Sequence, residues 1–177
     1  MENDGDRKHD LKIVMRIAGC DDSTLVLQFI RELAEYERLL DSVVITEETI
    51  RQWISAKQVE VLIAEYEEEP AGFALYYFTY STFRGQAGMY LEDIFVRPRF
   101  RAEESVHGFF INLQTLLRHA TVFVLTGWYS TGMSAVSVFM KNLGAKAIYD
   151  WITFRLHDAA MERLTHERKN NATSCEH

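Results

Sequence analysis

Between Val59 and Val96 the chain carries three runs rich in β-branched and aromatic residues: Val59–Tyr66, Gly72–Tyr80 and Met89–Val96. Each has the length of a strand, and only short polar connections separate them. Strands joined by so few residues pair antiparallel, because a parallel return needs a crossover of roughly a dozen residues or more. The spacing therefore predicts an antiparallel meander, with Glu67–Ala71 and its Pro70 as the first turn. In the middle run Phe73, Leu75, Tyr77 and Thr79 alternate with Ala74, Tyr76, Phe78 and Tyr80, so both faces are apolar. Such a strand needs cover on two sides. Helices of the same chain can supply one cover, and a symmetric partner is the simplest second one.

The flanking sequence supplies the helices. Lys12–Ala18 is short, apolar and β-branched, hence a strand. Asp21, Asp22 and Ser23 then offer capping oxygens and negative charge for a helix start. Leu25, Phe29, Leu33 and Tyr36 form one stripe on a helix expected to run to about Leu40. Thr46 can cap a second helix, with Ile45 and Ile50 placed as a hydrophobic staple. Beyond the meander, Val106, Phe109, Phe110, Leu113, Leu116 and Leu117 mark an amphipathic helix. Thr121–Thr126 is wholly apolar, as a parallel strand buried on both faces would be. Ser134–Leu143 reads as a helix ended by Gly144, Trp151–Leu156 as a last strand, and Asp158–Leu164 as a final helical turn or two. The order β-α-α-β-β-β-α-β-α-β predicts an α/β domain over residues 11–165. Its sheet is single and mixed, mostly antiparallel, and flanked by helices. Polar ends cover 1–10 and 166–177.

At 177 residues this is one domain. The net charge of -7 argues against nucleic-acid binding and against a basic membrane-facing patch, and suits a cationic partner. Two cysteines, Cys20 and Cys175, are too few for a disulfide scaffold. No apolar run approaches the ~20 residues of a bilayer span, and no signal peptide precedes the domain. The expectation is a cytoplasmic protein. The histidines show no metal-ligand spacing, so no metal is expected.

Four segments carry a resemblance to a known family: Arg31–Glu37 on the first helix, Gly72–Thr82, Tyr90–Val96 (YLEDIFV) and Lys141–Ala145. Together they resemble the GNAT superfamily of acyl-CoA-dependent N-acetyltransferases. Within it the resemblance is to the diamine and polyamine type that acts on spermidine and spermine. It implies the GNAT fold, acetyl-CoA as co-substrate and a small cationic amine as acceptor. It also implies a homodimer, or a protein partner on the same surface. An ammonium must lose a proton before its nitrogen can attack a thioester, and a nearby carboxylate can attract the cation and take that proton. Glu92 matches the family residue with this role. Tyr36, Glu37 and Asp93 match positions on the acceptor side. Ile94, Phe95, Val96, Arg101, Ala102, Ser105, Val106 and Met140 match positions along the acetyl-CoA.

The sequence departs from the family pattern at two places. The family's diphosphate loop has the form Arg-x-x-Gly-x-Gly/Ala before a helix, where glycines let the backbone approach the phosphates. Here it reads Arg101-Ala102-Glu103-Glu104-Ser105-Val106, which keeps the arginine but puts Glu104 and Val106 at the glycine positions. A like charge at ~4 Å and an effective dielectric of about 20 costs on the order of 4 kcal/mol before screening. The family's later helix carries a tyrosine that protonates the leaving thiolate. Met140 stands there and has no proton to give, which leaves Tyr129 as the nearest substitute. Two readings follow. One is acetyl transfer to a small diamine-like acceptor, weakened by these departures. The alternative is a catalytically inactive GNAT-fold pseudoenzyme that serves as a binding or assembly module.

Overall fold

Residues 13–101 and 125–127 are described by a computed structural model of the chain, together with positions 141, 144–148, 154 and 163. Residues 1–10 and 166–177, the helix from Val106, Thr121–Val124 and the strand at 151–156 lie outside the described residues, Phe154 apart. Contacts divide the chain into two units, Met1–Phe139 and Met140–His177.

In the first unit, strand β1 (Ile13–Ile17) leads through a short 3-10 turn at Cys20–Asp22 into helix α1 (Ser23–Tyr36). Helix α2 (Glu47–Ser55) follows, then strands β2 (Glu60–Tyr66), β3 (Glu69–Ser81) and β4 (Gln86–Val96), and last β5 (Leu125–Gly127). The strands form one sheet in the order β1-β2-β3-β4-β5. The first four pair antiparallel, and β5 pairs parallel to β4. The mixed, mostly antiparallel sheet expected from the sequence is thus present, including the meander and the parallel partner at its end.

The helices pack on one face of the sheet. Val26, Phe29 and Leu33 of α1 and Ile50 of α2 bury against Val61, Ile63, Phe73, Leu75 and Phe95. Phe29 stacks on Phe73 with ring centroids 5.2 Å apart. Burying each such side chain contributes about 1.5–3 kcal/mol. Thr46 caps α2 as expected, its Oγ1 accepting from the Thr49 amide at 3.2 Å. Ile45 packs against the core that buries Ile50, as a staple would.

Three local expectations need correcting. Helix α1 ends at Tyr36 rather than near Leu40, because Arg38 adopts φ +63° and breaks it. Its apolar stripe buries Val26, Phe29 and Leu33 with Leu25 packed against the core at its margin, whereas Tyr36 is 50% exposed instead of buried. The first turn is only Glu67 and Glu68, both at positive φ, since Tyr66 already pairs with Glu69. Pro70 therefore lies inside β3. It sits where the β2–β3 register shifts, and a residue without an N–H is tolerated at such a bulge. The second face of β3 is also less covered than its sequence suggests: Phe78 is 37% and Tyr80 78% exposed.

Gly72 marks a close approach between β3 and β4. A Cβ there would lie 2.5 Å from the Phe95 carbonyl oxygen. Past β4, Arg97 fixes the strand's end. Its Nε and Nη2 donate to the two carboxylate oxygens of Glu32, each at 2.8 Å, and Nη1 donates to the Pro70 carbonyl at 2.7 Å. Its guanidinium also lies 4.7 Å from the Phe29 ring centroid. This brace ties α1 to the end of β4. In the second unit Lys141 is helical and Gly144 has φ +82°, its amide donating to the Lys141 carbonyl at 2.9 Å. That is the left-handed stop expected of a C′ glycine. No helix among the described residues is long and apolar enough to cross a membrane.

Candidate active site

The register of β3 against β4 is broken at one place. Leu75 pairs with Asp93 and Tyr76 with Leu91, so Glu92 is the extra residue of a bulge. A bulge sets two residues of one strand opposite one of its neighbour and re-aims their side chains. Here it brings Glu92 and Asp93 together opposite Leu75, a residue of the core that α1 covers. Glu92 is exposed and Asp93 half-buried.

The electrostatics of Asp93 join a third carboxylate to this pair. Asp93 is pushed up to about 6, first by burial, then by the charges of Glu92 and Glu37. Glu37 comes from the other side of the site, as the residue that caps the C-terminus of α1. Three of the four acceptor-side residues expected from the sequence, Glu37, Glu92 and Asp93, therefore share one field. A carboxyl that titrates near 6 is well matched to proton exchange close to neutral pH. Three like charges also cost free energy together unless a cation joins them.

Aromatic rings border the acids. Tyr77 of β3 stacks on Tyr90 of β4 with centroids 5.0 Å apart, nearly parallel. The Tyr77 hydroxyl is raised first by burial and then by the charge of Glu92. Sequence reasoning gave Tyr77 only a core or interface role. Nothing in the alternation of β3 distinguishes it from its neighbours, and the bulge at Glu92 has no local signature. Arg97 was likewise missed, since an arginine after a strand reads as a surface charge.

The stretch from Glu92 to Val96 also meets the need of an extended ligand. Pairing with β5 is limited to Met89–Leu91, so β4 has no further strand partner on that side among the described residues. An unpaired strand edge presents N–H and C=O groups to whatever lies along it. Ile94 and Phe95 are buried there and Val96 half-buried. Arg101 stands at the end of this edge. Its Nε donates to the Val96 carbonyl at 2.7 Å, and its guanidinium lies 4.5 Å from the Tyr36 ring centroid and 5.4 Å from that of Phe95. Tyr36 and Phe95 themselves are 6.4 Å apart. Edge and cation fit an acyl donor with a long polar arm and a phosphate end. Ala102, Ser105, Val106, Tyr129 and Met140 lie outside the described residues, as does Glu104. Among the described residues no cluster of histidine, cysteine or acidic side chains has the makings of a metal site.

Known proteins match most of the chain in sequence. A model of the acetyltransferase (GNAT) family matches residues 27–103, which span α1 through Arg101. A thialysine N-ε-acetyltransferase of Caenorhabditis elegans is 34% identical over 159 residues, covering 83% of this chain and 93% of the relative. One of Sus scrofa is 33% identical over 172 residues, covering 86% and 96%. Among solved structures, an aminoglycoside acetyltransferase from an uncultured soil sample, in complex with sisomicin, superposes with a TM-score of 0.69 at 11% identity. The match covers 84% of this chain and 98% of that one, a likeness of fold alone. Acetyl-CoA is the acyl donor of this family's acetyltransferases. On this evidence of sequence and fold, the chain belongs to the acetyltransferase (GNAT) family.

Proposed function

We propose that the protein transfers an acetyl group from acetyl-CoA to a primary amine of a small cationic acceptor, such as thialysine or a short diamine or polyamine. The observation that carries this reading is the β4 bulge, which gathers Glu92 and Asp93 in one field with Glu37. An acidic cluster beside stacked tyrosines favours an ammonium with an aliphatic arm over a neutral or anionic acceptor. The curated relatives named for thialysine point to the same acceptor chemistry.

In this reading acetyl-CoA, when bound, supplies the acetyl group as a thioester. Glu92 takes the proton that the attacking ammonium must lose. Asp93 and Glu37 hold the cation, and its arrival lowers the cost of ionising Asp93. Tyr77 and Tyr90 offer ring faces to the acceptor's methylenes. Backbone groups of Ile94, Phe95 and Val96 lie along the acyl donor's arm, and Arg101 stands toward its phosphate end. The protein acts in the cytoplasm as a homodimer, and the exposed rings of Phe78, Tyr80 and Phe83 support a covered surface on the β3–β4 hairpin. No observation among the described residues favours the inactive alternative.

A thiol-release assay with thialysine and spermidine tests the proposal, with the acetylated product identified by mass. Transfer by the native chain is expected, with Glu92→Gln slower by about 10²-fold or more, the usual contribution of a positioned acid or base. No transfer to either amine, or full activity of Glu92→Gln, would overturn it.

A further inference from the structure

Arg101 opens the segment assigned to the acyl donor's phosphates, yet its guanidinium lies on the acceptor side of the site. It rests 4.5 Å from the ring centroid of Tyr36, the last residue of α1, and Glu37 follows directly as the helix C-cap. Tyr36 is half-exposed, and its other ring contact is the tilted one with Phe95 at 6.4 Å. A guanidinium stacks through its flat face while its edge donates hydrogen bonds. Here the guanidinium carbon lies over the Tyr36 ring and within 5.4 Å of the Phe95 centroid, and one donor, Nε, is given to the Val96 carbonyl.

We infer that Arg101 is a positioning residue that couples the two substrate sites. By its face it holds Tyr36, and with it Glu37, in the acceptor wall. By its edge it meets the anionic end of the acyl donor. A donor phosphate engaged at the edge pins the guanidinium on the ring rather than pulling it away. Acyl-donor binding therefore tightens acceptor binding, and by linkage the reverse holds equally. Lysine, a compact charge without a flat face, cannot make both contacts. This inference rests on the acetyl-transfer reading proposed above.

Steady-state kinetics of the full chain at saturating acetyl-CoA test it, with thialysine as acceptor. Arg101→Lys is expected to raise the acceptor KM roughly two- to fivefold, the value of one partly exposed cation–π contact, with a smaller change in kcat. Tyr36→Leu, which removes the ring, is expected to raise the acceptor KM as Arg101→Lys does. In the Tyr36→Leu background, Arg101→Lys is expected to add nothing further to the acceptor KM. Should Arg101→Lys prove unfolded by its melting curve, Tyr36→Leu alone decides, and a native acceptor KM in that variant overturns the inference. An effect of Arg101→Lys confined to the acetyl-CoA KM, or additive with Tyr36→Leu, also overturns it. Absence of transfer by the native chain removes the functional reading and this inference with it, whereas transfer with an unchanged acceptor KM removes this inference alone.

Discussion

Asp93 is a carboxyl held toward its protonated form by its surroundings. Burial and two like charges favour its protonated form in the folded protein, with titration at about 6 against 3.8 for the ordinary group. The folded state therefore binds more protons than the unfolded chain between those values. Stability is greatest on this account below about pH 4 and declines as pH rises through about 6. Glu32 has the opposite sign, because the Arg97 guanidinium holds its carboxyl below the usual range. Its contribution is present above the ordinary carboxylate pKa and is lost as pH falls through the lowered value. Asp93→Asn is thus expected to raise the melting temperature at pH 7.5, with a clearly smaller rise at pH 4.5 and almost none below the ordinary carboxylate value. With each 1 kcal/mol worth roughly 2–4 °C in a chain of this size, the gain should be readily measured by calorimetry. Equal shifts at both pH values would contradict the assignment of the strained charge to Asp93.

At the scale of elements, both helices stop in the same way. After α1 the Arg38 amide donates to the Glu35 carbonyl at 3.0 Å and the Leu39 amide to Ala34 at 2.7 Å. After α2, Lys57 donates to Ile54 at 3.1 Å and Gln58 to Trp53 at 2.9 Å. Each is a Schellman motif, and each puts a non-glycine residue at the left-handed C′ position. A side chain in that conformation costs about 1 kcal/mol, of which glycine's greater freedom in the unfolded chain takes back about half. Arg38→Gly is accordingly expected to raise the melting temperature by roughly 1–2 °C, and a lowered value would show that the Arg38 side chain contributes more than its backbone costs. These stops explain where sequence reading faltered. Glycine announces a left-handed residue, as Gly144 does, whereas Arg38, Glu67 and Glu68 do not, so the helix looked longer and the hairpin turn wider than they are. Signals written in adjacent residues were legible: the Thr46 cap, the Ile45 and Ile50 staple, the alternation of β3. The bulge at Glu92 was not, because register depends on two strands at once. Glu92, Asp93 and Glu37 were therefore identified through a family resemblance, while the reason they face one another came only from the pairing of Leu75 with Asp93.

For the molecule as a whole, two features bear on how it works. One is the β3–β4 hairpin, where Phe78, Tyr80 and Phe83 are exposed while Phe73, Leu75, Tyr76, Met89 and Leu91 are buried. Light scattering at micromolar concentration is expected to give twice the 20.6 kDa chain mass, and a clean monomer mass would contradict the homodimer. The other is charge. An excess of acid over base, -7 overall, reinforces the local field of the three carboxylates and draws cations toward them. The central claim is that this cluster selects a small cationic amine for acetylation. Its most direct test compares kcat/KM for 1,5-diaminopentane and 1-aminopentane, two acceptors with the same reacting amine and chain, at low and high salt. The account expects the diamine to be favoured by about tenfold or more at low salt, with the ratio shrinking as the second charge is screened. Equal values for the two amines, or a preference for the monoamine, would contradict it.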